Sequence, residues 1–96
     1  MKVRILQEAR EDIIRGQSFY EQQGDGLGDY FVNSLFSDID SLCLHAGVHV
    51  TVYGYHRMVA KRFPFSIYYR IDNNVAYVWR VIDSRREPRW IREQLS

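Results

Sequence analysis

Residues 65–82 read FSIYYRIDNNVAYVWRVI, and this stretch decides the fold of the 96-residue chain. The runs 65–71 and 75–82 are rich in β-branched and aromatic residues, which favours two β-strands. Between them, Asp72-Asn73-Asn74 predicts a tight hairpin, because Asn tolerates the left-handed backbone that primed turns require. If Asn73 and Asn74 form the two-residue loop, the numbers of paired residues sum to 147.

This register predicts two different faces for the hairpin, because successive side chains in a strand point to opposite sides. One face is apolar apart from an arginine, and we expect the helices to cover it: Phe65, Ile67, Tyr69, Ile71, Ala76, Val78, Arg80 and Ile82. The other face mixes polar and aromatic residues, which is typical of a binding surface: Ser66, Tyr68, Arg70, Tyr77, Trp79 and Val81.

The residues before the hairpin predict one strand and two helices. A short apolar run predicts a strand at 2–6, and apolar residues at helical spacing predict an amphipathic helix over 7–23. Three glycines between positions 24 and 28 form a turn, and a second apolar stripe runs from Leu27 to Ala46, with Gly47 as the stop signal. The two helices therefore form an αα-hairpin.

The remaining segments complete an α+β domain covering residues 1–96. Residues 57–63 alternate loosely and predict a strand that ends at Pro64, and Pro88 predicts the start of a short C-terminal helix. The element order is β-α-α-β-β-β-α, with an antiparallel three-stranded meander and helices packed on one face of the sheet.

Charge is distributed unevenly along the chain. Residues 1–56 hold four basic and eight acidic side chains, whereas residues 57–96 hold nine basic and four acidic ones. All the basic residues except Lys2 and Lys61 are arginines, which favour bidentate recognition of phosphate or carboxylate. We therefore expect an acidic or polyanionic partner for the C-terminal half.

Several site classes are disfavoured by the sequence. Cys43 is the single cysteine and cannot form an internal disulfide; we expect it to be a small buried side chain, and a reducing cytoplasm is the expected location. The sequence predicts no membrane helix, because the longest stretch without Lys, Arg, Asp or Glu is too short and too polar. His45 and His49 lack further ligands, so we expect no metal and no cofactor.

Four segments, in this order, carry a resemblance to a known family: Glu8–Glu21, Gly26–Phe31, Arg62–Arg70 and Val81–Trp90, the last containing Ser84-Arg85-Arg86-Glu87-Pro88. Together they span nearly the whole chain. They resemble the RelE/ParE superfamily, the toxins of bacterial type II toxin–antitoxin modules, and especially its plasmid stabilisation branch.

The resemblance implies two kinds of target. Some members of the superfamily cleave mRNA on the ribosome, and others poison DNA gyrase. We expect a ParE-like toxin that inhibits growth, with gyrase as its target, and that a cognate antitoxin neutralises in a hetero-oligomer. The alternatives are a metal-independent endonuclease acting on ribosome-bound mRNA, and a non-toxic relative that only binds an antitoxin.

The nuclease alternative depends on particular residues. Arg57, Lys61 and Arg85 match basic positions of the nucleases, but Ser66 stands where they present an Arg, and Trp90 lies near the position of their C-terminal Tyr. Arginine stabilises charge but stays protonated, so a proton acceptor would have to be Lys61 or His56. Whether the chain is an enzyme stays open at this point.

The candidate residues for binding the target or the antitoxin are Arg57, Lys61, Tyr68, Arg70, Trp79, Arg85, Arg86 and Trp90. For Arg70, a binding role and a structural role are equally compatible with the sequence. Arg80 is expected to be structural, and the Arg85-Arg86 pair is expected to be functional because it follows the last strand.

Overall fold

The computed structural model describes all residues, 1–96. Its elements, in chain order, are β1 (Lys2–Ile5), α1 (Gln7–Gln23), α2 (Leu27–Asp40), α3 (Leu42–His45), β2 (Thr51–Val52), β3 (Tyr55–Val59), β4 (Phe65–Asp72), β5 (Val75–Asp83) and α4 (Pro88–Leu95). The strands form one sheet in the order β1-β5-β4-β3-β2. β1 runs parallel to β5, and the other neighbours are antiparallel. The α+β class and the element order predicted from the sequence are confirmed, with α3 and β2 as additional short elements.

The hairpin at Asn73 and Asn74 forms as predicted. Both residues have positive φ angles, 49° and 61°, as a two-residue primed turn requires. From Asp72 and Val75 up to Tyr69 and Val78, the paired numbers sum to 147. The local turn chemistry therefore sets the register of the first half of this hairpin.

A β-bulge changes the register in the second half. Tyr68 pairs with Arg80 and Ile67 pairs with Val81, so that Trp79 is an extra residue in β5. Val81 consequently joins the core under the helices, and Ile82 lies on the opposite face. The sequence prediction had placed both residues on the wrong face, because it assumed a regular ladder.

Asp12 of α1 holds this irregular segment. Its carboxylate accepts hydrogen bonds from Arg80 Nε (2.8 Å) and Nη2 (3.0 Å) and from the backbone N–H of Val81 (2.9 Å). Gln94 of α4 adds two weaker acceptors for Arg80. Arg80 therefore joins α1, β5 and α4.

α1 and α2 cover one face of the sheet, and a glycine sets how closely they approach. A Cβ atom on Gly16 would lie 2.5 Å from the ring of Phe31, well inside van der Waals contact. Phe31 is fully buried and stacks on Tyr20 with ring centroids 5.1 Å apart. The core on this face contains buried residues from both helices and from β3, β4 and β5.

α4 packs on the opposite face of the sheet. Ile91 and Leu95, one helical turn apart, form a second apolar cluster with Tyr68 and Ile82. Pro88 occupies the beginning of the helix, as predicted. The face that the sequence predicted as the binding surface is therefore partly covered by α4.

Candidate functional site

Arg57, Tyr68 and Trp79 lie side by side on the face that carries α4. Arg57 of β3 pairs directly with Tyr68 of β4, and Trp79 packs against the cluster that contains Tyr68. Tyr68 is only 3% exposed. Burial raises the pKa of its phenol, and the positive charge of Arg57 opposes that rise. Three of the sequence candidates are thus brought together.

Two donors flank Tyr68 without a hydrogen-bond partner in the chain. They are Arg57 Nε and Trp79 Nε1, and both atoms are buried. Neither group can accept a hydrogen bond, so only an acceptor such as a carboxylate, a carbonyl or a phosphate oxygen satisfies them. Because both atoms are buried, an acceptor from a partner reaches them only if the surrounding side chains move.

Arg70 extends the same face toward the hairpin tip. Its guanidinium lies 5.3 Å from the centroid of the Tyr55 ring, a cation–π contact, and the side chain is exposed. Tyr55 was not among the sequence candidates. Its aromatic ring, two residues before Arg57 on β3, was the available signal, because alternate residues of a strand share a face.

His56 lies on the opposite face from Arg57. Its ring stacks on buried Tyr69, with centroids 5.0 Å apart, and its Nδ1 hydrogen-bonds the carbonyl of His49. His56, a base candidate of the sequence, therefore points away from Arg57. Neighbouring residues of a strand point to opposite sides of the sheet.

The histidines instead form a network around Tyr69. The hydroxyl of Tyr69 accepts the backbone N–H of Gly47 (2.9 Å) and hydrogen-bonds Nδ1 of His49. Burial lowers the pKa of His49, and the nearby His56 and His45 lower it further. No group of three or more His, Cys, Asp or Glu side chains is arranged to hold a metal ion.

The basic pair after β5 divides into two different interactions. Arg85 forms an ion pair with Asp83 (2.7 Å), and this hydrogen bond lowers the pKa of the Asp83 carboxyl. Arg86 instead stacks on the Trp90 ring, with its guanidinium carbon 3.6 Å from the centroid. Arg85 is therefore partly neutralised, whereas Arg86 keeps its charge available.

Two further sequence predictions are wrong. Lys61 does not lie on a strand, because β3 ends at Val59 and Lys61 follows in an exposed bend, where its backbone N–H donates to Asp38. Cys43 is exposed and not a buried side chain, because it lies on the outer side of the short helix α3.

Ser66 is occupied within the fold. It is 3% exposed, and its hydroxyl lies 2.7 Å from that of Ser84. Ser66, which stands where the nucleases of the superfamily present an Arg, is thus a small buried residue whose hydroxyl links β4 to the segment after β5.

The sequence matches a known family along most of its length. Residues 3–88 match the family described as "ParE toxin of type II toxin-antitoxin system, parDE". This chain belongs to the ParE toxin family. The match includes the helical hairpin and every strand, apart from Lys2 of β1, and ends at Pro88, the first residue of α4.

A solved structure supports the ParE-like fold. It is described as the chromosomal ParDE toxin–antitoxin system from P. aeruginosa, and its chain superposes with a TM-score of 0.78 at 19% identity. The alignment covers 86% of this chain and 95% of that chain. No curated protein matches the sequence. None of the helices is long and apolar enough to cross a membrane.

Proposed function

We propose that this ParE-family protein is a growth-inhibiting toxin of the plasmid stabilisation type, that DNA gyrase is its target, and that a cognate antitoxin neutralises it in the cytoplasm. The family supplies the toxin–antitoxin context. The choice of target rests on how the candidate residues are arranged. The proposal of an antitoxin rests on the family and on the positive charge of the C-terminal half.

The observation that carries the choice of target is that neither base candidate of the sequence, His56 or Lys61, lies beside Arg57 on the sheet face. Cleavage of RNA by its own 2′-hydroxyl needs a base, an acid and cations for the phosphate. His56 lies behind the sheet relative to Arg57, and Lys61 lies in a loop. Ser66 is buried against Ser84. The face supplies cations and aromatic rings without the acid–base pair.

Such a face is suited to binding a macromolecule. Arg57, Tyr68 and Trp79 form a partly buried row, and Arg70 with Tyr55 provides an exposed charged and aromatic extension. Aromatic residues and arginines are enriched at the energetically important centres of protein interfaces. This composition supports a protein target such as gyrase over direct chemistry on RNA.

The target is tested by comparing DNA damage with mRNA cleavage. After brief induction, we expect an SOS response and filamentous cells, while primer extension shows intact mRNA. In vitro, purified toxin added to gyrase and supercoiled plasmid should trap gyrase-cleaved DNA or block supercoiling. Arg70→Ala, on the exposed part of the face, should weaken both effects, and Arg10→Ala, at an exposed position of α1 behind the opposite face, is the matched control. Codon-linked mRNA cuts that precede any DNA damage would instead establish the endonuclease.

The antitoxin is tested by co-expression with the protein encoded by the adjacent reading frame. We expect that protein to restore growth and to co-purify with the toxin. A disordered acidic segment that folds on binding could cover much of the C-terminal half, whose charge is +5. If the adjacent protein neither restores growth nor binds, the proposal of a cognate antitoxin is wrong.

A further inference from the structure

A groove of about 550 Å³ lies between α1, the end of β5 and α4. Its floor is formed by Phe65, Val81 and Ile82, which are almost completely buried, so its exposed apolar surface comes from Phe19 and Trp90. Phe19 lines the α1 side of the groove, and Trp90 lines the α4 side. Two aromatic rings therefore border the groove, and Ile82 and Trp90 connect it to the apolar cluster around Tyr68.

Phe19 is the most exposed of the apolar groups in this groove. The Phe19 side chain is 53% exposed. The neighbouring Tyr20 points into the aromatic core, and its ring contacts the Phe19 ring edge to face. Together with Trp90 across the groove, Phe19 offers apolar surface that a bound partner would remove from water.

Stacking on Trp90 fixes the orientation of the Arg86 guanidinium at the rim of the groove. It stacks 3.6 Å above Trp90 and takes part in none of the three ion pairs of the chain. Stacking uses the flat side of the guanidinium and leaves its in-plane N–H donors for a carboxylate. Arg15, across the groove, is 65% exposed and bonds Asp12 through only one nitrogen.

The charges of the groove favour a protein segment over a nucleic acid. Arg15 and Arg86 keep free donors, but Asp12 and Asp83 also line the groove. A phosphate backbone needs a continuous basic track, and carboxylates in the track repel it. Isolated arginines beside an apolar floor instead match a peptide that alternates acidic and apolar side chains.

We propose that this groove receives a segment of the antitoxin, in which a carboxylate contacts Arg86 and a bulky apolar side chain inserts between Phe19 and Trp90. The inference rests on the proposed function, because it assumes a cognate antitoxin. It adds the location of the contact and the chemistry of the segment. The stacked Arg86 loses little conformational freedom on binding, which favours affinity.

The test is isothermal titration of the purified full-length toxin with the purified protein of the adjacent reading frame. Phe19→Ala and Arg86→Ala should each raise Kd by about tenfold or more, because each removes a buried contact or a charge-assisted hydrogen bond. The matched controls are Phe36→Ala on α2 and Arg92→Ala on α4, both exposed and outside the groove. Their Kd should stay within about twofold of the original, and thermal unfolding checks that every variant folds.

Three results would overturn the inference in distinguishable ways. If the original protein binds the antitoxin and the groove variants behave like the controls, the antitoxin binds elsewhere and the proposed function stands. If the original protein does not bind, the antitoxin proposal itself fails. If a fluorescein-labelled single-stranded RNA binds and Arg86→Ala abolishes that binding, while antitoxin affinity is unchanged, the groove is a nucleic-acid site.

Discussion

Removing the carboxylate of Asp12 should destabilise the whole domain. The Asp12 side chain is 6% exposed and that of Arg80 is 13% exposed, so their ion pair is largely shielded from water. In Asp12→Ala, Arg80 keeps only the two longer bonds to Gln94, and the N–H of Val81 loses its acceptor. The variant thus leaves a charge and a backbone donor without their main partner.

The expected loss follows from these contacts. Breaking a buried ion pair on one side costs about 3–5 kcal/mol. The lost backbone hydrogen bond of Val81 belongs to the same network and does not add in full. Because domains of this kind are stable by only about 5–15 kcal/mol, the loss from Asp12→Ala is a large fraction of the total.

The assay is urea denaturation followed by circular dichroism, with the free energy of unfolding taken from the midpoint at constant slope. Asp12→Ala, Arg80→Met and the double variant complete a double-mutant cycle. We expect the double variant to be more stable than Asp12→Ala, because it no longer buries an unpaired charge. A loss below about 1 kcal/mol in Asp12→Ala, or no coupling in the cycle, would refute the role assigned to this pair.

Three further outcomes are expected. Gly16→Ala should lower stability by about 1–3 kcal/mol, measured as a lower Tm, because its methyl group would overlap Phe31; an unchanged Tm would contradict the close packing. Burial holds the pKa of His49 in the folded protein below its ordinary value of 6.5. The unfolded chain therefore binds this proton more readily, and the free energy of unfolding should fall as the pH drops below 6.5. In His49→Gln, denaturation between about pH 7.5 and pH 5.5 should show a smaller fall; an equal fall would assign the effect to other groups. Arg57→Ala should reduce growth inhibition more than Lys61→Ala, because only Arg57 lies on the sheet face; equal toxicity of the two variants, at equal expression and Tm, would remove Arg57 from the site.

The sequence determined those parts of the fold that depend on neighbouring residues. Asn73 and Asn74 specify the turn through their own backbone preferences, and this turn sets the register of the strands beside it. The helical period in 7–23 and Pro88 at the start of α4 are equally local signals. The resemblance to the RelE/ParE superfamily likewise rested on short ordered segments.

The sequence also predicted which arginines and aromatic residues share a face, and one error was avoidable. The arginines and aromatic residues of the C-terminal half do line the predicted face, as Arg57, Tyr68 and Trp79 show. The alternation of side chains along a strand was enough to predict that His56 and Arg57 point to opposite faces of the sheet. The prediction that Lys61 lies on a strand depended on where β3 ends, and the neighbouring residues do not specify that end.

Only the tertiary structure decided the register of the second half of the hairpin and which face each of its side chains occupies. No local signal marks the bulge at Trp79, because the group that holds it, Asp12, is 68 residues from Arg80 in sequence. The position of α4 is equally non-local: Ile91 and Leu95 pack where Tyr68 and Ile82 offer apolar surface. Burial against distant residues, rather than backbone preference, supplies the free energy for both features, so the sequence order alone did not reveal them.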